Sequence, residues 1–216
     1  MKLIELNAPR LPMDKQSRFE RAVKMGFTIK AFHGTITDFK EFKRSGTDLG
    51  IHFGTNDQAW AMILQKAPHN AFKDDGEEGQ QRNAIIMPVL LKIKKPLEME
   101  DVGAWYNVAS VLDELRYSHE LKSAMSNKHQ AEIRQLYERS IGISPMSHAD
   151  GMDRVRSIIQ ASGFDGIVYN NRFEGNRDRD KRSYIVFDPS QVRSLYAKFD
   201  PKQAASGNVS EVIDDL

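Results

Sequence analysis

The sequence predicts an α+β fold, and three observations indicate it. Short runs of β-branched and aromatic residues, bounded by glycine or proline, lie near both ends of the chain. Between them, residues 101–140 repeat apolar side chains at helical spacing. The chain has 216 residues, of which 40% are hydrophobic and 28% charged, as in an ordinary globular domain. We therefore expect one domain over residues 1–200, with an N-terminal helix, a mixed or antiparallel sheet and a helical insertion at about residues 100–162.

The N-terminal part is predicted to form a helix followed by two strands. Asp14 is a suitable N-cap for a helix over 14–25, and Gly26 suits the position after its last turn. The face that packs on the sheet is expected to hold Phe19, Ala22 and Val23. A strand is then predicted at Ile29–His33, a short helical turn or a loop at Asp38–Lys43, and a second strand at Gly50–Thr55.

A polar segment separates the next helix from the most hydrophobic strand. Asn56 or Asp57 can cap a helix whose apolar residues are Ala59, Trp60, Ile63 and Leu64. Residues 66–83 are polar and lack apolar periodicity, which predicts an exposed loop. Residues 84–93 are predicted to form a central strand, with a bulge at Pro88 because proline cannot donate to a ladder.

The helical block and three short strands complete the predicted fold. The helices are expected to break near Tyr117-Ser118, and a further helix is expected to begin at Asp150 or Gly151. The strands are predicted at Ile167–Tyr169, Tyr184–Phe187 and 194–199. Residues 201–216 are predicted to form a flexible tail. Core positions are expected for Trp105, Tyr169 and Tyr184, and a capping position for Gln191.

Charge and composition exclude several classes of function. A formal net charge of +1 gives no global attraction to nucleic acid or to a membrane surface. Because the chain has no cysteine, it has no disulfide, thiolate nucleophile or cysteine-based zinc site, and its histidines show no metal-ligand spacing. No run approaches the ~18 apolar residues of a membrane span, and the N-terminus does not read as a secretory signal. We expect a cytoplasmic protein without a metal.

One loop carries a candidate catalytic carboxylate. Glu174 follows Phe173 between two predicted strands, where five cations surround it: Arg172, Arg177, Arg179, Lys181 and Arg182. A carboxylate at the rim of a small sheet can act in catalysis, but charged loop residues mostly serve solvation. The cations have the same two interpretations, a solvated loop or a site for a phosphate-bearing partner.

Three segments, in this order, resemble the signature segments of the ADP-ribosyltransferase fold. They are AFHGT at 31–35, GIHFGTNDQAWAMI at 50–63 and SYIVFDPSQVRS at 183–194. The resemblance is to the histidine-bearing branch of diphtheria toxin and the poly(ADP-ribose) polymerases. Within that branch, it is closest to phage and bacterial ADP-ribosyltransferases embedded in large polyvalent proteins. It covers roughly residues 14–198, including the helix RFERAVKMGF, and implies a split β-sheet that binds NAD in a cleft.

The resemblance assigns a role to each residue of the first segment. His33 would hydrogen-bond the adenosine ribose hydroxyls, and the main chain of Gly34 would clamp the nicotinamide carboxamide. Thr35 would support the ribose or the pyrophosphate. Glycine suits position 34 because the ligand approaches the main chain there.

In the second segment the sequence departs from the family pattern. Gly50, His52 and Phe53 are expected to line the NAD cleft, but the position of the family tyrosine that stacks on nicotinamide holds His52. This imidazole either stacks on the ring or lines the cleft. A later aromatic is expected on the following helix, where Met62 falls, and Trp60 is the nearby candidate.

In the third segment, Ser183 stands where the polymerases carry the catalytic glutamate, and we expect it to line the site. The phage-type relatives place an acidic residue after the preceding strand, which here is Glu174. A carboxylate there would stabilise the positive charge that develops on the ribose as the nicotinamide bond breaks.

The resemblance implies mono-ADP-ribosyl transfer from NAD to a protein or nucleic acid, with release of nicotinamide. The acceptor would dock at the Arg172–Arg182 loop. In a bacterial or phage-infected cell the enzyme would act as a toxin, an effector or a regulator. Delivery into another cell would not use a cleaved signal. Two alternatives stay open: an inactive module of this fold that binds a partner, and an RNA 2′-phosphotransferase, which shares the architecture.

Overall fold

Two hydrogen-bonded sheets and six helices make up the part of the chain that the structure describes. The computed structural model describes residues 10–37, 39–44, 46–66, 84–142, 147–174 and 181–210. The helices are α1 (Lys15–Lys24), α2 (Asn56–Lys66), α3 (Val108–Leu115), α4 (His119–Ala124), α5 (Asn127–Ser140) and α6 (His148–Ala161). The strands are β1 (Ile29–Thr35), β2 (Ile51–Phe53), β3 (Ile85–Leu91), β4 (Pro96–Met99), β5 (Gly166–Asn170), β6 (Arg182–Val186) and β7 (Val192–Ser194). The α+β class is confirmed.

The two sheets meet where β1 passes the end of β2. One sheet has the antiparallel order β1-β3-β7, and the other has the mixed order β2-β6-β5-β4. Phe32 of β1 and Gly54 after β2 exchange two backbone hydrogen bonds, of 2.9 and 3.0 Å. The sheet is therefore split, as the resemblance implied.

The helical block is the connection between two parallel strands. β4 and β5 pair in parallel, and parallel neighbours need a crossover in place of a hairpin. Helices α3 to α6 supply that crossover and bury one face of the second sheet, where Leu97 and Ile167 of the strands share a core with Leu112 and Ile158 of the helices. The prediction missed β4, although its buried Leu97 and Met99 alternate with an exposed residue, as in a half-buried strand.

Pro88 lies inside β3 without the expected bulge. The register with β1 is unbroken along both strands, and Pro88 stands opposite Phe32. Because Phe32 gives both of its backbone hydrogen bonds to Gly54, the β1–β3 ladder needs no N–H from residue 88. The proline is tolerated in a central strand because its missing donor falls at a position that does not bond to β1.

The helix ends follow the predicted capping chemistry, with two corrections. Asp14 accepts a hydrogen bond from the Ser17 N–H, and Gly26 takes a positive φ of 88° after the last turn of α1. Of the expected apolar face only Ala22 is buried, whereas Phe19 and Val23 are exposed. Helix α6 begins before Asp150, at His148, because Ser147 caps it.

The C-terminal segment returns to the first sheet. Val209 is 2% exposed and lies in one core with Phe42 and Phe53. Its carbonyl accepts a hydrogen bond from the Ser194 N–H, and residues 201–210 therefore belong to the packed structure, not to the expected tail. Residues 211–216 lie outside the described residues.

Three local predictions have different outcomes. Of the two forms expected at Asp38–Lys43, a helical turn or a loop, the described residues 39–43 form a loop, in which Glu41 makes an isolated β-bridge with Asn208. The last strand is β7 and ends at Ser194, so the strand expected over 194–199 is wrong. Most of the loop expected at 66–83 lies outside the described residues.

None of the described helices is long and apolar enough to cross a membrane.

Candidate active site

A cavity of about 440 Å³ lies between β1, β2, helix α2 and the turn after β5. It brings together most of the residues that the sequence singled out: His33, Gly34, Gly50, His52, Phe53, Glu174 and Ser183. Thr35 and Trp60 do not line it. The Thr35 hydroxyl instead bonds the backbone of Thr37, and Met62 contributes from α2 in place of Trp60.

His33 enters the cavity as a neutral imidazole with a defined tautomer. Its Nδ1 lies 2.9 Å from the backbone carbonyl oxygen of His52, and because a carbonyl only accepts, Nδ1 carries the proton. The pKa of His33 is lowered to about 4, chiefly by burial, with a smaller contribution in the same direction from the charge of Lys66 and with the hydrogen bond to the His52 carbonyl opposing it. At neutral pH the remaining ring nitrogen, Nε2, is therefore a hydrogen-bond acceptor, which matches a hydroxyl donor.

Gly34 is required by helix packing as well as by access to the main chain. A side-chain carbon at this position would overlap the backbone carbonyl oxygen of Ala59 in α2. The main chain of Gly34 lines the cavity, but the side on which a side chain would stand is filled by the helix. The reason given from sequence, close approach of a ligand, is thus not the one that the packing shows.

His52 is held by hydrogen bonds on both sides of its ring. Nε2 lies 2.9 Å from Asp48 Oδ1, and Nδ1 lies 3.3 Å from the Tyr169 hydroxyl. Burial favours a higher pKa for Asp48, but the His52 hydrogen bond and nearby backbone N–H groups outweigh it, so the Asp48 pKa is lowered. Burial raises the pKa of Tyr169, which keeps its O–H as a donor. These contacts favour the cleft-lining role of His52 over stacking.

An aromatic wall stands beside His52. Trp105 packs on Tyr169 with ring centroids 4.7 Å apart, and both line the cavity although the sequence indicated only core positions for them. Trp105 lies in the turn before α3, where its indole N–H donates to Asp101. Two exposed rings, Tyr106 and Phe173, extend the wall to the cavity mouth.

Glu174 is fixed by a residue that sequence reasoning missed. Asn171 Nδ2 donates to Glu174 Oε2 at 2.8 Å and to Ser183 Oγ at 3.2 Å. Ser183 in turn donates to Oε1 of Gln58, a buried residue of α2 that was also missed. The only sequence signal for these residues is the position of Asn171 directly after a strand that ends at the site.

Charge is distributed unevenly around the cavity. The charges of the Asp48, Asp101 and Glu174 carboxylates all raise the pKa of Tyr169. The lysines of the lining, Lys43 and Lys66, belong to other parts of the chain. Arg172, the first cation of the charged loop, forms an ion pair with Glu100, and its backbone N–H donates to Asp101. The loop residues 175–180, with Arg177 and Arg179, lie outside the described residues. Within the part of the chain that the structure describes, no three potential ligands are grouped for a metal.

Comparison with known families gives a match over most of the chain. A family model described as "ADP-Ribosyltransferase in polyvalent proteins" matches residues 24–200. That range includes all seven described strands and every residue that lines the cavity. Comparisons with curated proteins and with solved structures gave no significant match.

Proposed function

Because the chain belongs to the family of ADP-ribosyltransferases found in polyvalent proteins, we propose that it transfers a single ADP-ribose from NAD to a macromolecular acceptor and releases nicotinamide. One observation carries the proposal. A neutral histidine, His33, and a held carboxylate, Glu174, line the same aromatic-walled cavity. The family uses NAD as its substrate, and these two groups match the sugar hydroxyls and the developing charge of that substrate.

The adenosine side of NAD would bind near β1 and α2. His33 Nε2 would accept a hydrogen bond from a ribose hydroxyl, because its tautomer leaves that nitrogen as an acceptor. At the other end of NAD, the main chain of Gly34 would hydrogen-bond the carboxamide of nicotinamide. Lys43 and Lys66 supply positive charge in the lining, which suits a pyrophosphate.

The nicotinamide ring would lie against the aromatic wall of Trp105, Tyr106, Tyr169 and Phe173. The ring of NAD carries a positive charge, and cations are attracted to the faces of aromatic rings. The carboxylates of Asp48 and Asp101, which lie near Tyr169, add to this attraction. We propose that the wall takes over the stacking task of the family tyrosine, since His52 is held edge-on to Trp105 and Tyr169, at 66° and 74°.

Glu174 would stabilise the reaction at the ribose. The bond between the ribose C1′ and the nicotinamide nitrogen breaks, its electron pair passes to the departing nicotinamide, and positive charge develops on the sugar. The acceptor's nucleophilic atom then bonds C1′ and loses its proton. A carboxylate next to the ribose lowers the energy of the charged state and can take that proton.

The acceptor remains part of the proposal. Glu174 stands beside the exposed Phe173 at the cavity mouth, so an acceptor must approach past this turn. Lys181 and Arg182 are exposed on the other side of the charged loop, which favours an acceptor with a phosphate, such as RNA, DNA or a nucleotide-bound protein. Arg172 is less suited to this task because Glu100 already pairs with it.

One alternative has a specific observation in its favour. Ser183 occupies the position of the polymerase glutamate and is buried at 2% exposure, which would also fit an inactive module that binds a partner. The RNA 2′-phosphotransferase alternative is less supported, since such enzymes use arginines in the cleft and the described lining contains none.

The test is an incubation with NAD followed by two measurements. Chromatography of nicotinamide reports cleavage, and intact mass spectrometry of candidate proteins and RNA reports an added ADP-ribose. Both signals are expected. Binding of NAD without release of nicotinamide would favour the inactive module, and loss of a 2′-phosphate from RNA would favour the phosphotransferase.

A further inference from the structure

We propose that Asn171 is the positioning residue that holds the Glu174 carboxylate in the cleft, and that Ser183 and Gln58 anchor Asn171 from β6 and α2. This inference rests on the proposed function, in which Glu174 stabilises the charge on the ribose. It assigns tasks to three buried polar residues that the reaction itself does not use. Their exposures are 3% for Asn171 and 2% for each of the other two.

The amide of Asn171 uses its full hydrogen-bonding capacity within this turn. Oδ1 accepts from the backbone N–H of Phe173 at 3.1 Å and of Glu174 at 2.9 Å. Nδ2 donates to Glu174 Oε2 and to Ser183 Oγ. An amide offers two donors and two acceptor sites, so all four are engaged. The flipped amide would turn its NH₂ toward two N–H donors, which fixes the orientation.

A directed chain of hydrogen bonds anchors this amide. Ser183 Oγ accepts from Asn171 and therefore directs its own proton to Gln58 Oε1, at 3.0 Å. Gln58 Oε1 also accepts from the Thr55 N–H, and its Nε2 donates to the Lys181 carbonyl at 3.1 Å. Each member is satisfied and removed from water, and such networks keep a defined geometry. Helix α2 and strand β6 thus fix the turn that carries Glu174.

The anchor compensates for the place of the carboxylate in the chain. Ser183, which stands where the polymerases carry their glutamate, lies inside a strand. The strand backbone would orient a carboxylate at that position directly. Glu174 lies in a turn beyond β5 and has three rotatable side-chain bonds, whose disorder would otherwise weaken charge stabilisation. Asn171 removes that freedom by binding both the backbone and the carboxylate of Glu174.

The sharpest test is Asn171→Asp, which replaces the NH₂ group, the donor to both Glu174 and Ser183, with an oxygen and keeps the shape. The retained oxygen still accepts from the two backbone N–H groups, so the turn can form. The new oxygen replaces the donor that lies 2.8 Å from Glu174 Oε2. Two carboxylates at this distance hold a proton to higher pH than either would alone. We expect the acidic limb of the kcat profile to move up by at least ~1 pH unit, kcat at pH 7 to fall about tenfold or more, and KM for NAD to change less than about threefold.

The wild type and Asn171→Asp share every other charged and titratable group around Glu174, so the difference reports on residue 171. Among the described residues, these groups include Asp48, His52, Asp101, Tyr169, Arg172 and Lys181. The matched control is Asn107→Asp. Asn107 Oδ1 likewise accepts from two backbone N–H groups, of Ala109 and Ser110, but Asn107 does not line the cavity. Its profile is expected to match the wild type.

A second variant tests the anchor if Asn171→Asp does not fold. Ser183→Ala keeps every contact between Asn171 and its turn, and we expect kcat to fall about three- to tenfold at unchanged KM, with melting temperature as the folding control. A folded Asn171→Asp protein with the wild-type pH profile, or a Ser183→Ala protein with wild-type kcat, would overturn the inference. Glu174→Gln separates this failure from that of the proposed function: wild-type nicotinamide release in that variant would remove Glu174 from the reaction itself.

Discussion

Burial decides the protonation state of His33. That state decides whether its free ring nitrogen donates or accepts a hydrogen bond. The ring stands among Phe39, Phe42 and Phe53, with its centroid 5.0 Å from that of Phe42. No sequence motif reveals this cage, because Phe39 and Phe42 reach His33 only after the chain has folded. The His-Gly-Thr pattern identifies the residue, and the fold determines that it acts as an acceptor.

The lowered pKa of His33 makes folding stability depend on pH. The His33 pKa is about 4 in the fold and near 6.5 when unfolded, so below pH 6.5 the unfolded chain binds more protons. This contribution is complete above pH 6.5 and is lost as the pH falls toward 4. It amounts to at most ~3 kcal/mol in the free energy of unfolding. Urea unfolding at pH 7 and pH 4 should show a larger loss for the wild type than for His33→Gln, and equal losses would contradict the assignment.

At the scale of elements, the packing of β1 against α2 brings residues of both elements to the site. β1 brings His33 and Gly34, and the first turns of α2 bring Gln58 and Met62 to the same cavity. Two glycines permit close packing on α2, since a side-chain carbon at Gly34 of β1 would overlap the Ala59 carbonyl and one at Gly54, after β2, would overlap Gln58. The spacing of these glycines is visible in the sequence, but the partner that each one admits is not.

Gly34→Ala should therefore destabilise the fold. The obstacle is helix backbone, which cannot turn aside as a side chain can, so we expect a loss of ~2–4 kcal/mol in the free energy of unfolding. Gly46→Ala is the matched control, since its nearest non-local atom would lie 3.9 Å from the added carbon. Chemical denaturation measures both variants. A loss below ~1 kcal/mol for Gly34→Ala would show that α2 can move away from β1.

At the scale of the whole molecule, long-range pairing closes the split sheet. The first sheet joins β1 and β3 to β7 from the far end of the chain, and Val209 covers the same core beyond β7. Local patterns predicted most strands and helices because their apolar spacing and caps are local. They missed β4, which is four residues long and defined by a parallel partner distant in sequence, and they placed residues 201–210 in a tail.

Val209→Asp should test whether the C-terminal segment belongs to the fold. A buried, unpaired carboxylate beside Phe42 and Phe53 is expected to cost ~4 kcal/mol or more in the free energy of unfolding. Val23→Asp provides the same change at a side chain that is 43% exposed, where a change within ~1 kcal/mol is expected. Thermal unfolding of the two variants, followed by circular dichroism, makes the comparison. Similar melting temperatures would argue against a structural role for residues 201–210.

The candidate site shows the same division between local and long-range information. The three motifs predicted His33, Gly34, His52 and the region of Ser183, because each of these residues lies on a strand that its own motif predicts. The supporting residues come from separate elements, and they are Asp48, Gln58, Trp105, Tyr169 and Asn171. A residue such as Gln58 gains its task from Ser183, 125 positions away, and no pattern in the sequence records that contact.

The most direct measurement is the comparison of NAD binding and nicotinamide release in the wild type and Glu174→Gln. Calorimetry should give similar dissociation constants, because the amide keeps the shape of the carboxylate and the binding groups are elsewhere. Nicotinamide release should slow by about 10²-fold or more, which corresponds to ~3 kcal/mol of lost charge stabilisation. An unchanged rate of release in Glu174→Gln would contradict the assignment of Glu174 and the mechanism built on it.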